Sequence, residues 1–160
     1  MKIGVALSIP KLEKITRSIR DKHDKHKHLE PHLTIYHSNF NKKLDEKNLK
    51  NLMKLIVELK TYSKEIIIDK VVKQKNFVYL NVKNWKDFTK LNNKISNIFG
   101  EEKSKAKFHI TLGFNVNDED FNEIKKNIDK YLPKTITGKA YKIVLMDYIN
   151  GNLQAEEYYV

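Results

Sequence analysis

Two short segments, PHLTIY (31–36) and FHITLG (108–113), constrain this chain more than any other feature. Each alternates in polarity and sets a histidine and a threonine two residues apart, at His32 and Thr34 and at His109 and Thr111. In an extended strand, residues two apart face the same side. Each segment therefore predicts a strand with an apolar face, Leu33 and Ile35 in one and Phe108, Ile110 and Leu112 in the other. The apolar face must be covered by helices, and the His/Thr face is turned to something else.

The surrounding pattern repeats as well. Ile3, Val5 and Leu7 alternate as an opening strand, Pro10 marks a helix start, and Leu12, Ile15 and Ile19 follow at helical spacing. The first histidine strand comes next, then a helix face of Leu49, Leu52, Ile56 and Leu59. EIIIDKVV (65–72) and NFVYLNV (76–82) read as strands joined by a hairpin. Asn84 is placed to cap a helix carrying Phe88, Leu91, Ile95 and Ile98, which Gly100 stops. The second histidine strand follows, then an acidic helix start at 117–120 and a stop at Pro133. Strands near 137–148 and 152–159 flank Asn150 and Gly151, a strong hairpin signal. The order strand–helix–strand–helix–strand thus occurs twice, with a histidine strand in the same slot. This predicts one domain, 1–160, with a diffuse internal duplication of about 1–74 and 75–160.

Composition sets the outer bounds. At 160 residues and 40% hydrophobic content, the chain can bury a core as a single domain. It has no cysteine, so neither a disulfide frame nor a Cys-ligated zinc is available. No apolar run reaches the roughly 20 residues of a membrane span, and the first residues read as a strand and not a signal peptide. The expected location is the cytoplasm, with no membrane partner. The net charge of +11 draws anionic partners. Only Arg17 and Arg20 among the 31 basic residues are arginine. Arginine is the better bidentate phosphate clamp, so a conventional nucleic-acid-reading surface is disfavoured.

Spacing alone proves little. Six histidines and thirteen serines or threonines predict about half a His-x-Ser/Thr match by chance. The context carries the argument: both copies are His-aliphatic-Thr-aliphatic, both lie in strands, and both fill the same slot. Two histidines flanking one phosphorus make a general acid and a general base near neutral pH. Threonine hydroxyls can donate to non-bridging phosphate oxygens. Such chemistry calls for no cofactor. His32 and His109 are the candidate catalytic pair, Thr34 and Thr111 the candidate substrate binders. Tyr36, on the same predicted face, could stack on a base or bond a phosphate; His37 would point away if the strand runs straight.

PHLTIY and FHITLG resemble the paired H-x-T/S motifs of the two-histidine (2H) phosphoesterase superfamily, which includes 2′-5′ RNA ligase-like proteins and cyclic phosphodiesterases. The resemblance is closest to its small bacterial phosphoesterases, whose first motif also follows a proline, as Pro31 does here, and whose chains end in a similar turn and strand. It implies an α+β fold of two pseudo-symmetric lobes of antiparallel sheet, with helices on the outer faces and a central cleft carrying both motifs. It also implies action on 2′,3′-cyclic phosphates or 2′-5′ links of RNA or small nucleotides. The expected state is a monomer. Phe108 and Phe114 depart from the family pattern, which often has proline and a basic residue at those places.

Two other readings stand beside this one. The same cleft could bind RNA or a nucleotide without turning it over. HDKHKH (23–28) could hold a metal through His23, His26 and His28, although it lacks a carboxylate or cysteine partner and reads more simply as a solvated basic helix end.

Overall fold

The alternation of residues 2–8 forms a strand, β1 (Lys2–Ser8), and Pro10 opens a single tight turn that leads into α1 (Glu13–His23). In this computed structural model, residues 1–38, 43–101, 107–149 and 152–160 are described. The first histidine segment is β2 (His32–His37), and α2 (Glu46–Leu59) follows, capped by the Asp45 carboxylate on the Asn48 N–H at 2.9 Å. Strands β3 (Glu65–Gln74) and β4 (Phe77–Val82) form the expected hairpin. Helix α3 (Trp85–Phe99) ends at Gly100, whose φ of +67° is the left-handed conformation that glycine adopts without penalty. The second histidine segment is β5 (His109–Gly113), and α4 (Asp118–Tyr131) starts on the Asn117 side chain, which accepts from the Asp120 N–H at 2.7 Å.

Two expectations change here. Asn84 sits at the N-cap position of α3, but its side chain makes no capping bond; it accepts from the Ile67 N–H and donates to the Glu65 carbonyl, tying the helix start to β3. The run read as one strand near 137–148 is two, β6 (Thr135–Thr137) and β7 (Tyr141–Ile149). They pair with different strands, β6 with β3 and β7 with β1. Between them Gly138 passes so close to Leu7 that a Cβ would lie 2.6 Å from its side chain. Last comes β8 (Asn152–Tyr159), with Ile149 opposite Asn152; the turn expected at 150–151 lies outside the described residues.

The eight strands form one antiparallel sheet in the order β6-β3-β4-β5-β2-β1-β7-β8. The fold is α+β, with four helices and this sheet. The two histidine strands are its central neighbours, each followed outward by an opening strand, β1 or β4. Pairing interleaves the two sequence halves: β3 joins β4, and β7 joins β1. The helices cross the centre too, with α1 against β5 and α3 against β2. One continuous apolar cluster joins strands and helices, from Ile3, Leu33, Leu80 and Ile110 to Ile19, Leu55, Ile95 and Ile128. Burying a side chain of this size stabilises by about 1.5–3 kcal/mol. No described helix is long and apolar enough to cross a membrane.

Candidate active site

Across the seam between β2 and β5, Leu33 lies opposite Ile110, and both are buried. Moving one residue each way along an antiparallel pair sets His32 opposite Thr111 and Thr34 opposite His109. The two histidines then occupy a diagonal, about 7–8 Å apart at the backbone. The outer neighbours share these rows: Ser8 with His32, Ala6 with Thr34, Tyr79 with Thr111 and Asn81 with His109. The four candidate residues thus meet on the face opposite Leu33 and Ile110. Thr34 is exposed, and His32, His109 and Thr111 are half-buried.

Both imidazoles are held in the same way. The His32 Nδ1 lies 2.7 Å from the Glu30 carbonyl oxygen, and the His109 Nδ1 lies 3.0 Å from that of Lys107. A carbonyl only accepts, so each Nδ1 carries a proton. In the neutral ring this leaves the Nε2 lone pair for proton transfer. Burial holds His32 below the ordinary histidine pKa; the Lys142 and Arg20 charges push the same way, and the Glu30 carbonyl and Glu157 oppose them.

In each strand the residue after the threonine is an insertion. Val5 pairs with Tyr36 but Ala6 with Thr34, so Ile35 is the extra residue of a β-bulge. Val78 pairs with Gly113 but Tyr79 with Thr111, so Leu112 is the extra residue in the second motif. The bulge reverses the alternation beyond it. Tyr36, expected on the His32–Thr34 face, is turned inward and stacks on Phe99 of α3 with ring centroids 5.6 Å apart. Burial and the neighbouring Glu101 carboxyl push its phenol pKa up. His37, expected to point away, lines the same cavity as His32 and Thr34, and Tyr36 also contributes to its wall. At the equivalent place in β5, Gly113 admits α1, for a Cβ there would lie 2.5 Å from the His23 Cβ, and the Phe114 N–H donates to the His23 carbonyl at 2.7 Å.

The two sides of the seam differ in chemistry. On the His32 side, a cavity of about 60 Å³ is lined by His32, Thr34, His37, Leu29, Lys142 and Glu157, among others. The Lys142 ammonium is buried and donates to Glu157 at 2.6 Å. Glu30 accepts from the Ser8 hydroxyl at 2.5 Å and the Tyr159 hydroxyl at 3.2 Å. The Ser8 bond, followed by that of Tyr159, holds the carboxyl below its ordinary pKa despite partial burial. On the other side, His109 sits 5.3 Å from Phe77 and 5.1 Å from Tyr79, and Phe77 also packs on Phe114. The Lys25 ammonium lies 5.3 Å over the Phe114 ring. Sequence reasoning missed Phe77, Glu30 and Lys142, because none carries a motif; only strand register brings them here.

The HDKHKH segment is organised around a buried ion pair. The Arg20 Nε donates to the Asp24 carboxylate at 2.9 Å, and its terminal nitrogens reach Glu13 and the carbonyls of His26 and Leu29. Among the described residues, no three His, Asp or Glu side chains are grouped to hold a metal ion.

A mixed α+β chain with two H-x-T strands side by side at the centre of an antiparallel sheet has the architecture of a two-histidine phosphoesterase. The family model of the 2′-5′ RNA ligase superfamily matches residues 6–152, and the chain belongs to that superfamily. No curated protein matches the chain by sequence. Solved structures share the fold at low identity. A phosphoesterase crystal structure is 13% identical with a TM-score of 0.62, covering 99% of this chain and 98% of the other. E. coli LigT complexed with ATP is 14% identical with a TM-score of 0.62, covering 99% and 97%. TT0787 of Thermus thermophilus is 10% identical with a TM-score of 0.55, covering 99% and 97%.

Proposed function

We propose that this protein is a phosphodiesterase that opens 2′,3′-cyclic phosphates or 2′-5′ phosphodiester links of RNA ends or small nucleotides, with His32 and His109 as general acid and base. The observation that carries the proposal is the Leu33–Ile110 pair, whose register sets each histidine opposite the other motif's threonine. A phosphorus held over that diagonal has an imidazole on either side. One neutral Nε2 takes the proton of an attacking water as its oxygen bonds to phosphorus. The other imidazolium gives its proton to the leaving ribose oxygen, so the P–O bond breaks to a hydroxyl and a monoester. Thr34 and Thr111 donate to the non-bridging oxygens as charge builds on them. The imidazoles supply both proton transfers themselves, so the reaction is metal-independent. The sheet reads as two pseudo-symmetric lobes about the seam, within a single domain, each contributing one motif. The protein acts as a cytoplasmic monomer on this reading.

Nucleotide substrates suit the His109 side, where Phe77, Tyr79 and Phe114 offer half-exposed ring faces. LigT has been crystallised with ATP and with 3′-AMP, which supports a nucleotide ligand here. The same aromatic group favours a second reading, a nucleotide-binding module without turnover. One experiment separates the two: 2′,3′-cyclic nucleotides and 2′-5′ dinucleotides are incubated in EDTA with wild type, His32→Ala and His109→Ala. Hydrolysis by wild type, lost in both variants, supports the enzyme. Salt-sensitive binding with no product supports the module, and unchanged hydrolysis in both variants overturns the catalytic pair.

A further inference from the structure

The Glu30 carbonyl that accepts from His32 belongs to a Glu–Pro peptide, so the next residue has no N–H to anchor it. The placement of that carbonyl depends on what fixes Glu30 and Pro31. Pro31 is fixed through its own carbonyl, which accepts from the Ile9 N–H at 2.8 Å. The residue before Glu30 is fixed by Arg20, whose guanidinium donates to the Leu29 carbonyl at 2.6 Å. Glu30 itself is fixed by its side chain, with Ser8 from β1 and Tyr159 from β8 donating to one carboxylate oxygen. Two strands that are separate in sequence therefore converge on the residue that orients His32. Lys107, which plays the same backbone role for His109, is exposed, and among the described residues nothing clamps its side chain.

We propose that Glu30 is a positioning residue, whose carboxylate, gripped by Ser8 and Tyr159, locks the carbonyl that keeps the His32 proton on Nδ1 and aims Nε2 into the cleft. This rests on the reading of His32 as an acid–base group, but only for its effect on rate. For metal-ligating histidines, loss of the partner that fixes the tautomer costs about 10–100-fold in activity, and the same order is expected for His32. Because Glu30 touches only the frame of the site, its loss acts on kcat and leaves substrate affinity in place.

The test uses ¹⁵N-labelled full-length protein. Ring-nitrogen shifts, assigned by comparison with a His32→Gln sample, report which nitrogen of neutral His32 carries the proton, whether or not turnover is seen. Wild type should show the Nδ1–H form. In Glu30→Ala a mixture with the Nε2–H form should appear, with kcat on a 2′,3′-cyclic nucleotide down about 10–100-fold and KM within about twofold. Glu30→Gln keeps an acceptor for both hydroxyls and should retain most of the wild-type tautomer and rate. Tyr159→Phe removes one grip without disturbing the fold and should show the same changes in smaller measure. An unchanged His32 tautomer in both Glu30→Ala and Tyr159→Phe overturns the proposal, as does a rise in KM alone. Wild-type protein without turnover fails the proposed activity, while the ring shifts still decide the role of Glu30.

Discussion

Leu33 of β2 lies directly opposite Ile110 of β5, and this apolar pair sets the register of the candidate site. Side chains alternate along a strand, so a one-residue slip of either strand would turn its own histidine into the helices and break the diagonal. Both residues are buried, at 0% and 1% exposure, so they act as the fastener beneath the polar diagonal. Ile110→Ala should cost about 2–5 kcal/mol of stability through the lost methylenes and the cavity left behind. Urea denaturation measures this directly. Activity should fall in step with the folded fraction, because the seam lies at the buried centre of the sheet and opens only with the domain.

At neutral pH the imidazoles themselves should matter for rate and not for folding. Either half-buried histidine replaced by alanine should lower kcat by about 10²–10⁴-fold, the usual worth of a positioned proton donor or acceptor. Thr34→Val and Thr111→Val should each cost about 10²-fold, as for removal of one donor to a developing charge. Thr34 is exposed, so its variant should unfold at the wild-type urea midpoint. Steady-state kinetics in EDTA, paired with that denaturation curve, checks both statements.

Much of this was legible in the residues. The two H-x-T strands, the β3–β4 hairpin and most of each helix face follow from period and turn chemistry, although Leu49, read on the inner face of α2, is exposed and Leu55 is buried instead. What stayed hidden is register and partnership. Ile35 and Leu112 are ordinary aliphatic residues in an alternating run, and nothing in their chemistry marks them as bulges. Yet those insertions bury Tyr36 against Phe99 and bring His37 to the cavity with His32. Periodicity likewise marks the stretch holding β6 and β7 as extended, but not that it is two strands, nor that β7 lies beside β1 and supplies Lys142 to the wall of the site. A single apolar face fits several neighbours equally well, and only the packed sheet selects one.

The 23–28 segment shows the same limit and carries a further prediction. As a string it is a basic, histidine-rich helix end; in the fold it hangs on Arg20 and Asp24, whose side chains are both 4% exposed. Arg20→Ala should cost about 3–5 kcal/mol, because Asp24 is left as a buried charge without its partner. It also removes the donor to the Leu29 carbonyl, just before Glu30. The double variant Arg20→Ala/Asp24→Ala should recover part of the loss, and thermal melts of the two variants test that order.

Stability should fall on mild acidification, and the sign follows from the histidines. His26, His32 and His37 are each held below the ordinary histidine pKa, primarily by burial. Nearby lysines add to this: Lys25 at His26, Lys142 with Arg20 at His32, and Lys2 at His37. Above a pH of about 6.5, the unperturbed value, these rings are neutral in both folded and unfolded chains and contribute no pH dependence. Below it the unfolded chain binds protons that the folded chain does not yet accept, so stability drops with falling pH until the lowered folded-state values are passed. Urea midpoints should therefore decrease from pH 7.5 to pH 5, and His32→Gln should flatten that slope by removing one of the three sites. The same lowered His32 pKa keeps its Nε2 lone pair free at neutral pH. If His32 is the base, the acidic limb of kcat/KM should lie below the ordinary histidine range. A slope that His32→Gln leaves unchanged would show that this half-buried ring does not titrate in this window.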